Sequence, residues 1–192
     1  NTIIDLRHQI HQYPELGNRE YKTAKLVAEH LRSLGIEVET DIAYTGVVGV
    51  LKGNKPGPVV AVRADMDALP VTEETDLSFK STVKTTYLDK EVGVMHACGH
   101  DIHTSVQLGV ASVLASMKRS LPGTVKFIFQ PAEEGPPPGE EGGAGLMLKE
   151  GVFDNPKPRA IFGLHTHAAL AVGELGLTIG PAMAAVDQFI IT

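Results

Sequence analysis

Apolar residues recur along this chain at two spacings, and each spacing predicts elements. Over positions 3–16 (IIDLRHQIHQYPEL), Ile3, Leu6 and Ile10 share one helical face until Pro14-Glu15-Leu16-Gly17 interrupts the run. A second helix is carried by Tyr21, Ala24, Val27, Ala28, Leu31 and Leu34 and is stopped by Gly35. Short apolar runs then predict strands over 36–40, 46–51 and 58–63. The last, PVVAVR, is apolar nearly throughout, as a strand covered on both faces should be. Residues 71–95 are polar and irregular and read as a long excursion. Ile102, Val106, Val110, Val113, Leu114 and Met117 predict a buried helix over 102–117, ended by Pro122-Gly123. A strand at 124–130 (TVKFIFQ), a Pro/Gly-rich loop at 135–145, a short helix at 146–150 and a third buried strand at 160–164 (AIFGL) follow. Alternation of strand and helix predicts an α/β layered fold with a mostly parallel sheet.

Length and charge narrow the classes. A chain of 192 residues with 43% hydrophobic and 21% charged positions can bury a full core and is not compositionally disordered. A net charge of −6 argues against a sequence-independent nucleic-acid binder, which would present a basic face. No apolar run approaches the roughly 20 residues that cross a bilayer, so no membrane partner is expected. One cysteine excludes an intrachain disulfide, and no signal-like segment is present. A cytoplasmic location is expected. Because position 1 is Asn, removal of an upstream signal and a periplasmic location stay open.

The single cysteine lies in His96-Ala97-Cys98-Gly99-His100-Asp101, with a histidine two positions away on each side, and His103 follows one helical turn after His100. A thiolate and imidazoles that converge suit Zn²⁺ or a similar first-row divalent ion, with carboxylates filling the remaining positions. A lone C-x-H would read more simply as a buried cysteine among surface histidines. His8, His11 and His30 read as surface or capping side chains, with His11, beside the Pro14-Glu15 turn, having the strongest claim to more.

The ends of the predicted strands change the balance. PVVAVR runs into Ala64-Asp65-Met66-Asp67, TVKFIFQ into Pro131-Ala132-Glu133-Glu134-Gly135, and AIFGL into His165-Thr166-His167. Acids past a strand can simply cap their own turn. If the three strands are parallel neighbours, however, all these side chains gather at one sheet edge, where open α/β sheets place ligands. Adjacent residues in extended chain point to opposite sides, so Glu133 and Glu134 cannot play one role. One carboxylate that ligates and a neighbour that moves a proton would together serve metal-assisted hydrolysis of a carbonyl compound.

The stretches HQYPELGNRE, VVAVRADMDALPV, GVMHACGHDIHT, IFQPAEEG and IFGLHTH resemble the M20 metallopeptidase family, in its amidohydrolase branch of hippurate hydrolases, aminoacylases and indoleacetyl-amino-acid hydrolases. The resemblance runs over essentially the whole chain. It implies a three-layer α/β/α zinc-peptidase-like fold holding two divalent metal ions of the Zn, Mn, Co or Ni class. Carried over by motif, Cys98, His100, Glu134 and His165 are metal ligands, Glu133 is the general base, and Asp67 matches an acid just outside the ligand set. His167 matches no family role. The implied substrate is a small N-acyl amino acid or short peptide.

Members of the family continue past a segment like 180–189 into a smaller lid domain and return with a further histidine ligand. The expectation is accordingly that residues 1–181 are the N-terminal portion of the catalytic domain and that 182–192 begin the lid's first strand. The lid would also carry homodimer or higher homo-oligomer contacts. The GPPPGEEGG loop is longer than the family pattern. A non-catalytic metal-binding relative acting as a binding module is the alternative, and an intact Glu133 favours the hydrolase. A nucleobase deaminase is excluded, because its zinc signature needs P-C-x-x-C.

Overall fold

The computed structural model describes residues 2–181, so the expectation for 182–192 lies outside the described residues. In chain order the elements are α1 (Thr2–Gln12), α2 (Tyr21–Ser33), β1 (Glu37–Ile42), β2 (Gly46–Lys52), β3 (Lys55–Asp65), β4 (Lys84–Tyr87), β5 (Lys90–Gly93), α3 (His100–Ser116), β6 (Pro122–Gln130), α4 (Gly143–Lys149) and β7 (Ala160–Gly163). α1 stops short of Tyr13, because Pro14 bars its predecessor from helical backbone.

Five strands form one sheet in the order β1-β2-β6-β3-β7. β6, β3 and β7 are mutually parallel, because α3 and then α4 carry the chain back between them. The hairpin β1–β2 extends the sheet antiparallel to β6. Two apolar layers sandwich the sheet. On one face Val27 and Leu31 of α2 and Leu108 and Ala111 of α3 pack against Val47, Leu51, Phe127 and Phe129. On the other, Met147 of α4 with Val152 covers Val48, Ala61 and Ile128. Truncating one of the fully buried residues, such as Leu108, costs about 2–5 kcal/mol. Among the described residues no helix is long and apolar enough to cross a membrane.

Three expectations are corrected here. The strand expected to be buried at 160–164 is β7, which lies at the sheet edge and is exposed along its length. The 71–95 excursion contains the β4–β5 hairpin, closed by Leu88 and Asp89 at positive φ (49° and 60°). A two-residue loop of that conformation is usually signalled by Asn-Gly, and Leu-Asp hides it. In α3 the apolar stripe is not the buried one. Val106, Val110, Val113 and Met117 are exposed, while His100, His103, Thr104, Gln107, Leu108 and Ala111 face inward. The first turns of this helix bury polar side chains against the strand ends.

Candidate metal centre

The three parallel strands end level with one another. Asp65 is paired with Gln130, and Arg63 with both Ile128 and Gly163. Whatever follows each strand therefore emerges at one edge, beside the start of α3. That helix is docked there by Thr104 Oγ1, which donates to the Asp65 carbonyl at 2.7 Å, and by Gln107 Nε2, which donates to the Ile128 carbonyl at 2.9 Å.

His100, the first residue of α3, is fully buried. Its Nδ1 lies 2.9 Å from the main-chain oxygen of Asp67. A carbonyl only accepts, so Nδ1 carries a proton, and Nε2 presents a lone pair whenever the ring is neutral. Around that lone pair stand Glu133 Oε2 at 3.6 Å, Glu134 Oε1 at 3.8 Å and Asp65 Oδ2 at 3.9 Å. Neither His100 Nε2 nor Glu134 Oε1 has a hydrogen-bond partner among the described residues. An unpartnered buried polar atom costs about 1–3 kcal/mol, and lone pairs facing one another repel unless a cation or proton lies between them. His165 repeats the pattern. Its Nδ1 donates to the Thr166 carbonyl at 2.7 Å, and its Nε2 faces Cys98 Sγ at 3.5 Å.

Three overlapping groups result: Cys98, His100 and His165; His100, Glu133 and Glu134; and Asp65, His100 and His103. In each, the potential ligand atoms lie within 4.8 Å of one another. A thiol, two imidazole Nε2 atoms and carboxylates are a donor set for zinc or a comparable first-row ion. With its orphaned lone pairs, the site fits a divalent cation.

Electrostatics point the same way. Burial, then Glu134, Glu133 and Asp65, push the Cys98 thiol up to about 12. Burial lowers the His100 pKa, but Asp67, Asp65 and Glu134 outweigh it and push it up to about 9. The edge carries excess negative charge. A bound cation would reverse the Cys98 shift, since a coordinated thiol is deprotonated. Glu133 is held above the usual carboxylate range, mainly by burial and then by Asp65.

Supporting contacts hold the loops. The Glu134 N–H donates to Asp67 Oδ2 at 2.9 Å, so Asp67 joins the β3 exit to the Glu133-Glu134 loop while its carbonyl orients His100. Glu20 has no role that its sequence context announces. It accepts the Ala132 N–H at 2.8 Å and the Thr45 hydroxyl at 2.5 Å, and burial pushes it up to about 7. It clamps Ala132, a non-glycine residue at φ 47°, one position before Glu133. Gly17 allows the close approach of the Pro14–Gly17 turn: a Cβ there would lie 2.7 Å from the Gly135 oxygen. Beside Glu134 a groove of about 670 Å³ is lined by Tyr13, Leu16, Tyr21, Leu69 and Tyr87, within the size range of small-molecule sites.

Cys98, His100, Glu133, Glu134, His165 and Asp67 are thus brought to one place. His96, the other histidine flanking Cys98, belongs to none of the three groups. Its ring is buried, both nitrogens are without hydrogen-bond partners among the described residues, and burial pushes its pKa down to about 4. His167 only accepts the Ala169 N–H in a local turn. His11 is not a surface side chain. It is buried between Asp101 Oδ2 (2.9 Å from Nδ1) and Glu73 Oε1 (3.1 Å from Nε2), and Arg7 Nε donates to Asp101 Oδ2 at 2.8 Å. Glu73 also accepts the Thr75 hydroxyl and the Ser81 N–H, each at 2.6 Å. With acceptors at both ring nitrogens His11 is an imidazolium. Asp101 raises its pKa most, against the lowering by burial, and Glu73 raises it further. No periodicity announces this cluster, because its members come from three separate segments.

The sequence profile described as peptidase family M20/M25/M40 matches residues 61–189. Thermostable carboxypeptidase 1 of Saccharolobus solfataricus is 49% identical over 188 residues, covering 97% of this chain and 44% of the relative. N-acetylcysteine deacetylase of Bacillus subtilis is 43% identical over 97% of this chain and 46% of its own length. The crystal structure of Bacillus subtilis YXEP protein, a dinuclear metal binding peptidase from the M20 family, superposes with a TM-score of 0.82 at 41% identity, covering 94% of this chain and 46% of that one. The chain spans less than half the length of the curated relatives it matches.

Proposed function

The chain belongs to peptidase family M20/M25/M40, and on that premise we propose that it supplies the metal-binding half of the active site of a hydrolase of N-acyl amino acids or short peptides. The observation that carries this reading is the His100 Nε2 atom, buried and without a hydrogen-bond partner among the described residues, with Glu133, Glu134 and Asp65 oxygens 3.6–3.9 Å away and Cys98 and His165 alongside. Cys98, His100, Glu134 and His165 are the residues that would hold divalent metal. When bound, such ions polarise the amide carbonyl and make water a better acid.

The chain's own residues supply the proton chemistry. Glu133 reaches the same space as Glu134 but is more exposed, so it can contact both a water and the leaving nitrogen. A carboxylate placed there can accept the water's proton and then deliver it to the amine. Asp67 holds the relation between His100 and the Glu133-Glu134 loop fixed through its carbonyl and carboxylate. The groove beside Glu134, with three tyrosines, suits the apolar part of an acyl amino acid.

The test is turnover by the full-length protein of acetyl, benzoyl and indoleacetyl amino acids after loading with Zn²⁺, Mn²⁺, Co²⁺ or Ni²⁺. Hydrolysis that is abolished by chelation and restored by metal is the expected result. Stoichiometric metal uptake without hydrolysis of any of these or of dipeptides would favour a binding module.

A further inference from the structure

Among the described residues β7 is a four-residue strand at the sheet edge, paired with β3 alone. His165 lies just beyond it and is exposed. Among the described residues, the hydrogen bonds that tie 165–170 to the rest of the chain run to two residues, Cys98 and His103. Apart from the Cys98–His165 contact itself, all of them come from Thr166. Its main-chain N–H donates to His103 Nε2 at 3.0 Å, and its hydroxyl lies 3.3 Å from the Cys98 carbonyl and 3.4 Å from His103 Nε2. Between them Gly99 sits at φ 90°, and a Cβ there would collide with Thr166 Oγ1.

The polarity of this contact defines the state of His103. An amide N–H can only donate, so Nε2 is unprotonated and the ring proton is on Nδ1, 3.7 Å from Asp65 Oδ2. The ring is buried, packs edge-on to His165 with centroids 4.4 Å apart, and lies 5.2 Å from His100. His103 therefore touches the β7 exit through a hydrogen bond and the two imidazoles of the centre through its faces.

We propose that His103 and Thr166 are positioning residues that clasp the β7 exit to the start of α3 and so set the separation of Cys98 Sγ from His165 Nε2. The proposal rests on the metal-site reading above. Neither residue needs to touch metal or substrate. Outer partners that fix a ligand's orientation typically change metal affinity 10–100-fold when removed. Here the orienting groups act on the loop that carries one ligand and on the turn that carries the other.

The experiment is Co²⁺ titration of the full-length, metal-stripped protein, read by binding affinity and by the thiolate-to-cobalt charge-transfer band of Cys98. His103→Leu should bind Co²⁺ about 10–100-fold more weakly, with a weakened band. His103→Gln, whose Oε1 can accept the Thr166 N–H, should recover most of the affinity and the band. Thr166→Val keeps the N–H and the shape but loses the hydroxyl contact to Cys98, and should show a smaller loss of the same kind. Wild-type affinity and spectrum in His103→Leu, or equal impairment of the Leu and Gln variants, overturns the clasp. If His103→Leu does not fold, an unchanged spectrum in Thr166→Val overturns it. A wild-type protein that takes up no Co²⁺ overturns the metal-site reading itself, a result visible before any variant is compared.

Discussion

His100 and Asp101 are consecutive at the start of α3, yet they enter two buried clusters of similar composition. Asp101 joins Arg7, His11 and Glu73, where cations and anions alternate and each ring nitrogen of His11 meets an oxygen at 2.9–3.1 Å. His100 joins Asp65, Glu133, Glu134, Cys98 and His165, where its Nε2 meets only other electron-rich atoms, the nearest oxygen at 3.6 Å. The first cluster is complete as folded and ties α1, Glu73 of the 71–95 excursion and α3 together. The second is complete only with an added positive charge. The pairing state of buried polar atoms, rather than residue type, separates a structural set from a binding one.

The largest effect expected from breaking this contrast is catalytic. Glu133→Gln in the full-length protein should lower turnover by about 10²–10⁴-fold, the size of a lost general base. Metal content by elemental analysis should stay at the wild-type level, and loss of metal would remove Glu133 from the role of base. Next comes the paired cluster. Asp101→Asn leaves the buried His11 and the half-buried Arg7 without their shared anion and should cost about 3–5 kcal/mol in urea unfolding of the metal-free protein. A change below about 0.5 kcal/mol, the level of an ordinary surface substitution, would show that the cluster does not act as an ion-paired unit.

The metal cluster should respond in the opposite sense. Glu134→Gln removes one of several crowded carboxylates, so the metal-free protein should be as stable as wild type or more so, by up to about 2 kcal/mol. Divalent-metal affinity should nonetheless fall about tenfold or more, as it should in Cys98→Ser. Destabilisation of the metal-free Glu134→Gln protein, or wild-type affinity in either variant, would erase the distinction between the clusters.

The smallest effect is one of pH. His11 has a folded pKa raised above 6.5, principally by Asp101. Its ion pairs therefore stabilise the fold fully below pH 6.5, and that contribution is lost as pH rises through the raised value. His100 titrates in the same direction when no metal is bound, so the informative quantity is a difference. The stability gap between wild type and His11→Gln, both metal-free, should shrink as pH rises from 6 to 9. A gap that is constant over that range would show that His11 is held by packing and not by charge.

Much of the centre was legible before any coordinates. Three apolar strands each ending in acids or histidine, beside Cys98-x-His100, place Asp65, Glu133, Glu134 and His165 at one edge once the strands are parallel and level. What was not legible depended on long-range polar contacts. His11 looked like a surface histidine because its partners, Glu73 and Asp101, are 62 and 90 residues away. His96 looked like a potential ligand because spacing says nothing about which way a turn faces. α3 looked as if it buried its valines because an apolar stripe is the usual guide to the inner face, and here the inner face is polar at its first turns.

By itself, then, the sequence determined which residue types stand at the carboxyl ends of the strands, since apolar runs and the residues that follow them are local patterns. Only the tertiary structure decided which of those polar atoms find partners. A hydrogen bond or ion pair needs two groups within about 3 Å and suitably directed. That proximity is set by how helices and loops from distant segments pack. It gave His11 two carboxylates, gave His103 the Thr166 N–H, and left the Nε2 of His100 beside three carboxylates with no hydrogen-bond partner among the described residues.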